Sequence, residues 1–306
     1  MGNKYVRGIN AEFIKDLKTG SLSWFLEEVK LNDKLCLEIR KDYINIYYMG
    51  GNALRIIQKK NGYRFEFDEK YCLDEKTRTK VKAFRTIDDY RDNFSLLLSE
   101  MDAWFDEFPK EERRIQHELI KQNTSGFCII DIEYAGSYIS EDGKKKNFRL
   151  DMLAVHNNNL VIVENKVGEK SMGGSAGIVK HYNDISAIIE SEEAKKNLLE
   201  SARSIASNKR ELGLPTADIT IDMIEILFVL IDFNKKSKML TNQLAKINPA
   251  YNLKIVFMSE AGPIDYANAE ELSSYGGYSI AQLEDIVNRT FSGLQMFVRD
   301  VNLPEQ

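Results

Sequence analysis

Hydrophobic and polar positions change period several times along this chain, and those changes predict its elements. From Asn10 to Leu26 apolar residues recur at helical spacing, with a break at Gly20. Short alternating runs follow (LCLEIR, YINIYYM, ALRIIQKK and YRFEF), with Asn32-Asp33, Gly50-Gly51 and Asn61-Gly62 as turn signals. This pattern predicts an antiparallel meander. Helical spacing returns between Thr86 and Phe108, where Tyr90, Phe94, Leu97 and Met101 share a face, and Pro109 stops it. A domain boundary is expected there, giving an N-terminal α+β unit over residues 1–108 and a second domain over 109–306.

The second half follows another rhythm. KEERRIQHELIKQN reads as a helix and GFCIIDIEYAGSYI as a long strand. SEDGKKKN is a polar turn, and RLDMLAV and LVIVENKV are strands joined by HNNN. A helical region in two pieces spans about 174–210. EILFVLIDF and LKIVFMS are continuous apolar strands on either side of the helix MLTNQLAKI, and a last helix is expected at about Ile280 to Val298. Continuous apolar strands separated by helices imply a sheet covered on both faces. The expected class is α/β (α+β), in the order α-β-β-β-α-β-α-β. No internal repeat is visible.

Composition narrows the classes. The chain has 306 residues, 43% hydrophobic and 29% charged, enough apolar surface for a substantial core. No apolar run reaches the roughly 20 residues of a membrane span, and the start shows neither a signal-peptide core nor a myristoylation pattern. Three scattered cysteines, Cys36, Cys72 and Cys128, suggest buried thiols in a reducing cytoplasm. A net charge of −5 argues against a general polycation, while leaving room for a local basic patch.

Residues 149–168, RLDMLAVHNNNLVIVENKVG, break the binary pattern. Alternation places Glu164 and Lys166 on one face of a strand that is otherwise apolar. The HNNN turn folds the preceding strand back, bringing Asp151 towards Val163–Glu164. Two carboxylates and a main-chain carbonyl form a hard oxygen site suited to Mg²⁺ or Mn²⁺, and a neighbouring ammonium suits the charge of phosphodiester hydrolysis. The plainer alternative is an exposed Glu/Lys edge pair.

Asp-x(n)-Glu-x-Lys on adjacent strands resembles the PD-(D/E)XK nuclease superfamily. The superfamily's α-β-β-β-α-β core matches the order read from about Lys110 to Phe233. The likeness covers the second domain only, and implies a restriction-endonuclease-like mixed sheet flanked by helices. It implies metal binding by Asp151 and Glu164, a main-chain ligand from Asn165 and a catalytic Lys166. A further acid on the first core helix would be Glu112 or Glu118. Lys180, His181 and Tyr182 would line the cleft from the following helix, with Asp184 nearby. Leu150 stands where members often carry Pro. The implied activity is Mg²⁺- or Mn²⁺-dependent hydrolysis of DNA, with RNA and a homodimer left open. A nuclease-fold binding or scaffolding module that cleaves nothing is the competing class. The first domain is assigned substrate or partner recognition on architecture alone.

Other signals are weaker. Gly173-Gly174-Ser175-Ala176-Gly177 matches G-x-S-x-G, but His181 lies about 9 Å along the helix axis and roughly 240° around it from Ser175. The segment reads as a flexible turn feeding a helix N-terminus; a DNA phosphate held by main-chain N–H groups around Ser175 also fits. His117-Glu118 starts an H-E-x-x-H motif that Lys121 fails to close. Among basic clusters, Lys144-Lys145-Lys146 stands out because Lys145 lies on the turn entering the Asp151 strand. The aromatic residues of the meander are read as packing.

Overall fold

The computed structural model describes residues 6–139, 143–173, 177–247, 251 and 253–272. Asn10 caps α1 (Ala11–Thr19) by accepting the Phe13 N–H, and Gly20 separates it from α2 (Ser23–Leu31). The meander follows as β1 (Leu35–Ile39), β2 (Tyr43–Tyr48), β3 (Gly51–Lys59) and β4 (Gly62–Glu66), antiparallel and in sequence order. Met49 (φ 47°) and Gly50 (φ 81°) make the β2–β3 turn. A Cβ at Gly50 would lie 2.3 Å from the Arg113 carbonyl oxygen, so that turn also requires glycine for space. Three helices complete this unit: α3 (Glu75–Lys82), α4 (Ile87–Asp92) and α5 (Phe94–Glu107). The helix expected from Thr86 to Phe108 is divided at Asn93, and a Thr86/Asp89 capping box opens its first piece.

The part of the chain that carries the larger sheet starts with α6 (Glu111–Gln122), which Phe108-Pro109-Lys110 separates from α5. Then come β5 (Thr124–Ser125), β6 (Phe127–Ile139), β7 (Lys145–His156) and β8 (Asn159–Val167). They are followed by α7 (Ile178–Glu190), α8 (Glu192–Glu211), β9 (Ile224–Ile231), α9 (Lys238–Leu244), β10 (Leu253–Met258) and β11 (Glu270–Glu271). The sheet order is β11-β10-β9-β8-β7-β6-β5. Strands β5 to β8 pair antiparallel, while β8, β9 and β10 run parallel. The chain is thus mixed α/β, with an N-terminal antiparallel sheet.

Both faces of the larger sheet are covered, which accounts for the continuous apolar strands. On one face Leu160, Ile162, Phe228 and Leu230 pack with Tyr182 and Ile185 of α7 and Leu198 of α8. On the other, Val161, Val163, Leu227 and Val229 pack with Ile115 and Leu119 of α6. The two units share cores: Ile205 of α8 and Leu212, which caps that helix, join the N-terminal cluster, and Cys36 and Tyr47 join the α6 face. All three cysteines are buried free thiols. Among the described residues no helix is long and apolar enough to cross a membrane. The Ile280–Val298 segment and Asp142 of the polar turn lie outside the described residues.

Candidate functional site

Asn157 and Asn158, at φ 47° and 65°, form the tight turn that folds β8 back along β7. The register runs from His156↔Asn159 to Met152↔Val163, and stepping once more sets Asp151 beside Glu164. Beyond Met152 the paired ladder ends. Asp151 bridges the resulting fork with its side chain, Oδ2 accepting the Asn165 N–H at 3.1 Å. In a strand the N–H and C=O of one residue leave on the same side, so the Asn165 carbonyl also turns towards the fork.

Glu164 is fully buried, Lys166 nearly so, and Asp151 half-buried. Lys166 Nζ donates to Glu164 Oε1 at 2.8 Å, and His181 Nδ1 of α7 meets the same oxygen at 2.6 Å. Glu164 Oε2 is buried with no hydrogen-bond partner. A buried carboxylate oxygen left unpartnered is costly unless something else coordinates it. Burial works to raise the Glu164 pKa, but His181 and Lys166 more than offset it, and the group falls below its ordinary value. Burial and then the neighbouring Glu164 charge drive Asp151 well above its ordinary value. Two close carboxylates without a bound cation cannot both carry full charge, so the pair is poised to share a proton or take up a cation.

On the opposite face of the sheet, Gln116 Nε2 of α6 donates to Asn165 Oδ1 at 3.1 Å. Gln116 thereby fixes the residue whose carbonyl faces the fork. Sequence reading assigned this helix a carboxylate and overlooked Gln116, although a buried glutamine among Ile115, His117, Leu119 and Ile120 is a visible break in an apolar face.

The remaining predicted residues fall in different places. Glu118 is half-buried and lines a cleft of about 490 Å³ beside Val167 and Gly168, at the end of the motif strand. Glu112 is exposed one helical turn and a half earlier, outside that cleft. Lys180 is exposed and paired with Asp184. Tyr182 is buried, and its hydroxyl accepts the Tyr251 N–H at 3.1 Å, so it packs the core and holds the segment before β10. Of the three α7 residues, His181 alone touches the Asp/Glu/Lys group. Ser175 lies outside the described residues. Lys145 is exposed at the start of β7, six residues before Asp151 and hence about 20 Å away along the strand.

Among the described residues no three His, Cys, Asp or Glu side chains form a ready-made metal shell. The donor set that does fit a cation is Asp151, the orphaned Glu164 Oε2 and the Asn165 carbonyl. That is two carboxylates and one neutral oxygen, with the rest left to water or substrate, as suits Mg²⁺. Comparison with protein-family models, curated proteins and solved structures finds no match for this chain.

Proposed function

We propose that this protein is a metal-dependent nuclease hydrolysing DNA phosphodiester bonds, with Asp151, Glu164 and Lys166 as its reactive set. The observation that carries the reading is the buried, unpartnered Glu164 Oε2 beside Asp151 at a fork in the sheet, with an ammonium 2.8 Å from the companion oxygen. The order around it, α6, the long antiparallel strands β6 to β8, the helices α7 and α8 and the parallel strand β9, supports a likeness to PD-(D/E)XK enzymes. Asp151, Glu164 and the Asn165 carbonyl would hold Mg²⁺ or Mn²⁺. When bound, that ion supplies charge stabilisation at the phosphodiester and acidifies a coordinated water.

The chain's own residues perform the rest. Lys166 is screened from solvent, so its ammonium interacts strongly with negative charge developing on phosphorus oxygens. Glu164 orients Lys166 through the Oε1 contact, and His181 fixes that oxygen from the other side. Gln116 holds the Asn165 side chain on the opposite face of the sheet.

Cleavage of plasmid, linear and single-stranded DNA, and of RNA, by parent protein and Lys166→Ala tests the proposal with Mg²⁺, Mn²⁺ or EDTA. Metal-dependent cutting that falls at least 100-fold in the variant supports it. No cutting of any substrate with either metal would transfer the reading to a non-cleaving module.

A further inference from the structure

The N-terminal unit reaches the back of this fork through a buried group of charges. Arg7, Glu38, Arg40, Asp131 and Lys209 are all almost entirely removed from solvent. Arg7 and Arg40 each meet one oxygen of Asp131 at 2.5 Å. Lys209 of α8 meets both oxygens of Glu38 at 3.0 and 3.1 Å. Stability alone is a weak reason to bury so many charges, because desolvation consumes most of the attraction.

Their position suggests a better reason. Strand β6 is irregular here in two ways. Its register against β7 shifts between Ile129 and Asp131, inserting an extra residue. Two residues on, Glu133 has φ 47°, a left-handed conformation that a glutamate in a strand adopts only under constraint. The pairs Ile132↔Met152 and Tyr134↔Leu150 place Glu133 directly across from Asp151.

A distorted strand turns carbonyls out of the ladder, and each needs a donor. The two arginines supply them. Arg40 donates to the Ile132 carbonyl at 2.8 Å and Arg7 to the Glu133 carbonyl at 2.9 Å. Tyr47 donates to Glu133 Oε2 at 3.1 Å. Arg7 is itself seated by its N–H on Ser201 Oγ and by its guanidinium over the Tyr134 ring. Arg40 is anchored at the end of β1 by a bond to its preceding carbonyl, Ile39.

We propose that Arg7 and Arg40 are positioning residues for Asp151. They clamp the β6 distortion so that β7 diverges from β8 at Met152 and Asp151 meets the Asn165 N–H. The N-terminal unit therefore completes the site from behind rather than only covering it. This rests on reading Asp151 as part of the reactive set, and it assigns that unit a role in geometry.

Opposed substitutions at Glu133 separate this from a general stabilising role. Glu133→Gly and Glu133→Val both remove the carboxylate. Glycine accepts a left-handed φ freely, whereas a β-branched residue resists it and favours a regular strand. Two readouts follow each variant: exchange of the Asn165 amide with solvent deuterium, and the Mn²⁺ concentration giving half-maximal DNA cleavage. Glu133→Gly should leave both within about twofold of the parent. Glu133→Val should speed Asn165 exchange at least tenfold and raise the Mn²⁺ requirement about tenfold. Should Glu133→Val fail to fold, Glu133→Ala takes its place, and Arg40→Lys should shift both readouts the same way because an ammonium cannot reach Asp131, the Ile39 and Ile132 carbonyls and the Tyr47 hydroxyl together. Equal behaviour of the glycine and valine or alanine variants overturns the proposal. Asn165 exchange needs neither metal nor cleavage, so a parent that never cuts DNA refutes the nuclease reading while the exchange comparison still decides this one.

Discussion

Asp131 offers the sharpest test of how the two units are joined. It is fully buried and accepts from two guanidiniums that are 2% and 3% exposed. Burial opposes its charge, yet Arg40 and then Arg7 more than offset that cost and hold the carboxyl below its ordinary range. Asp131→Asn preserves shape and removes the charge, leaving two buried cations with a neutral partner. At an effective dielectric of ~20, one such pair at 4 Å is worth about 4 kcal/mol before desolvation. Breaking a buried pair costs about 3–5 kcal/mol in practice. Urea unfolding at pH 7 should show that loss, and a thermal melt should fall by roughly 6–20 °C, at about 2–4 °C per kcal/mol for a large domain. The linkage also has a sign. A depressed pKa contributes stability above the unfolded value near 3.8 that disappears as pH falls through the folded one, so the parent should lose this contribution in acid and the variant should not. As a comparison, Asp222→Asn removes an exposed partner of Arg203 and should leave the midpoint unchanged. A stability change below about 1 kcal/mol in Asp131→Asn would refute the picture of a dry, paired cluster.

Glu38 has the opposite sign: burial pushes its pKa up from 4.5 to about 7 despite Lys209. Its contribution is complete below pH 4.5 and is lost as pH rises through 7, about 3 kcal/mol in all, and Glu38→Gln should remove that part of the stability–pH slope between pH 5 and 8. Tyr182→Phe should lower stability by about 1 kcal/mol, through the bond to Tyr251, while leaving DNA cleavage within twofold of the parent; a large loss of cleavage would return Tyr182 to the cleft. Gly50→Ala meets both a positive φ and the Arg113 carbonyl, and should cost more than the ~1–2 kcal/mol of the backbone conformation alone, read as a lower urea midpoint.

Much of this architecture was legible because it repeats locally. Alternation marked β1 to β4, continuous apolar runs marked β9 and β10, and the charged pair within LVIVENKV marked β8 as the strand of the candidate site. The same local rules failed at α3, whose sequence EKTRTKVK buries only Val81 and carries almost no periodic signal. They failed again at Tyr182, which shares a helix face with no advance sign that its hydroxyl is engaged by Tyr251.

What the amino-acid sequence by itself determined, then, is the mixed α/β class, the order of the longer elements other than α3 and the adjacency of Asp151, Glu164 and Lys166, since a two-residue turn and strand alternation leave little choice of register. Tertiary structure alone decided that Gln116 reaches Asn165, that His181 rather than Lys180 meets Glu164, and that Arg7 and Arg40 close on Asp131 and the β6 distortion. These contacts join residues up to 126 positions apart. Their energies depend on burial and on a partner's exact position, quantities that no local pattern of hydrophobic and polar residues encodes.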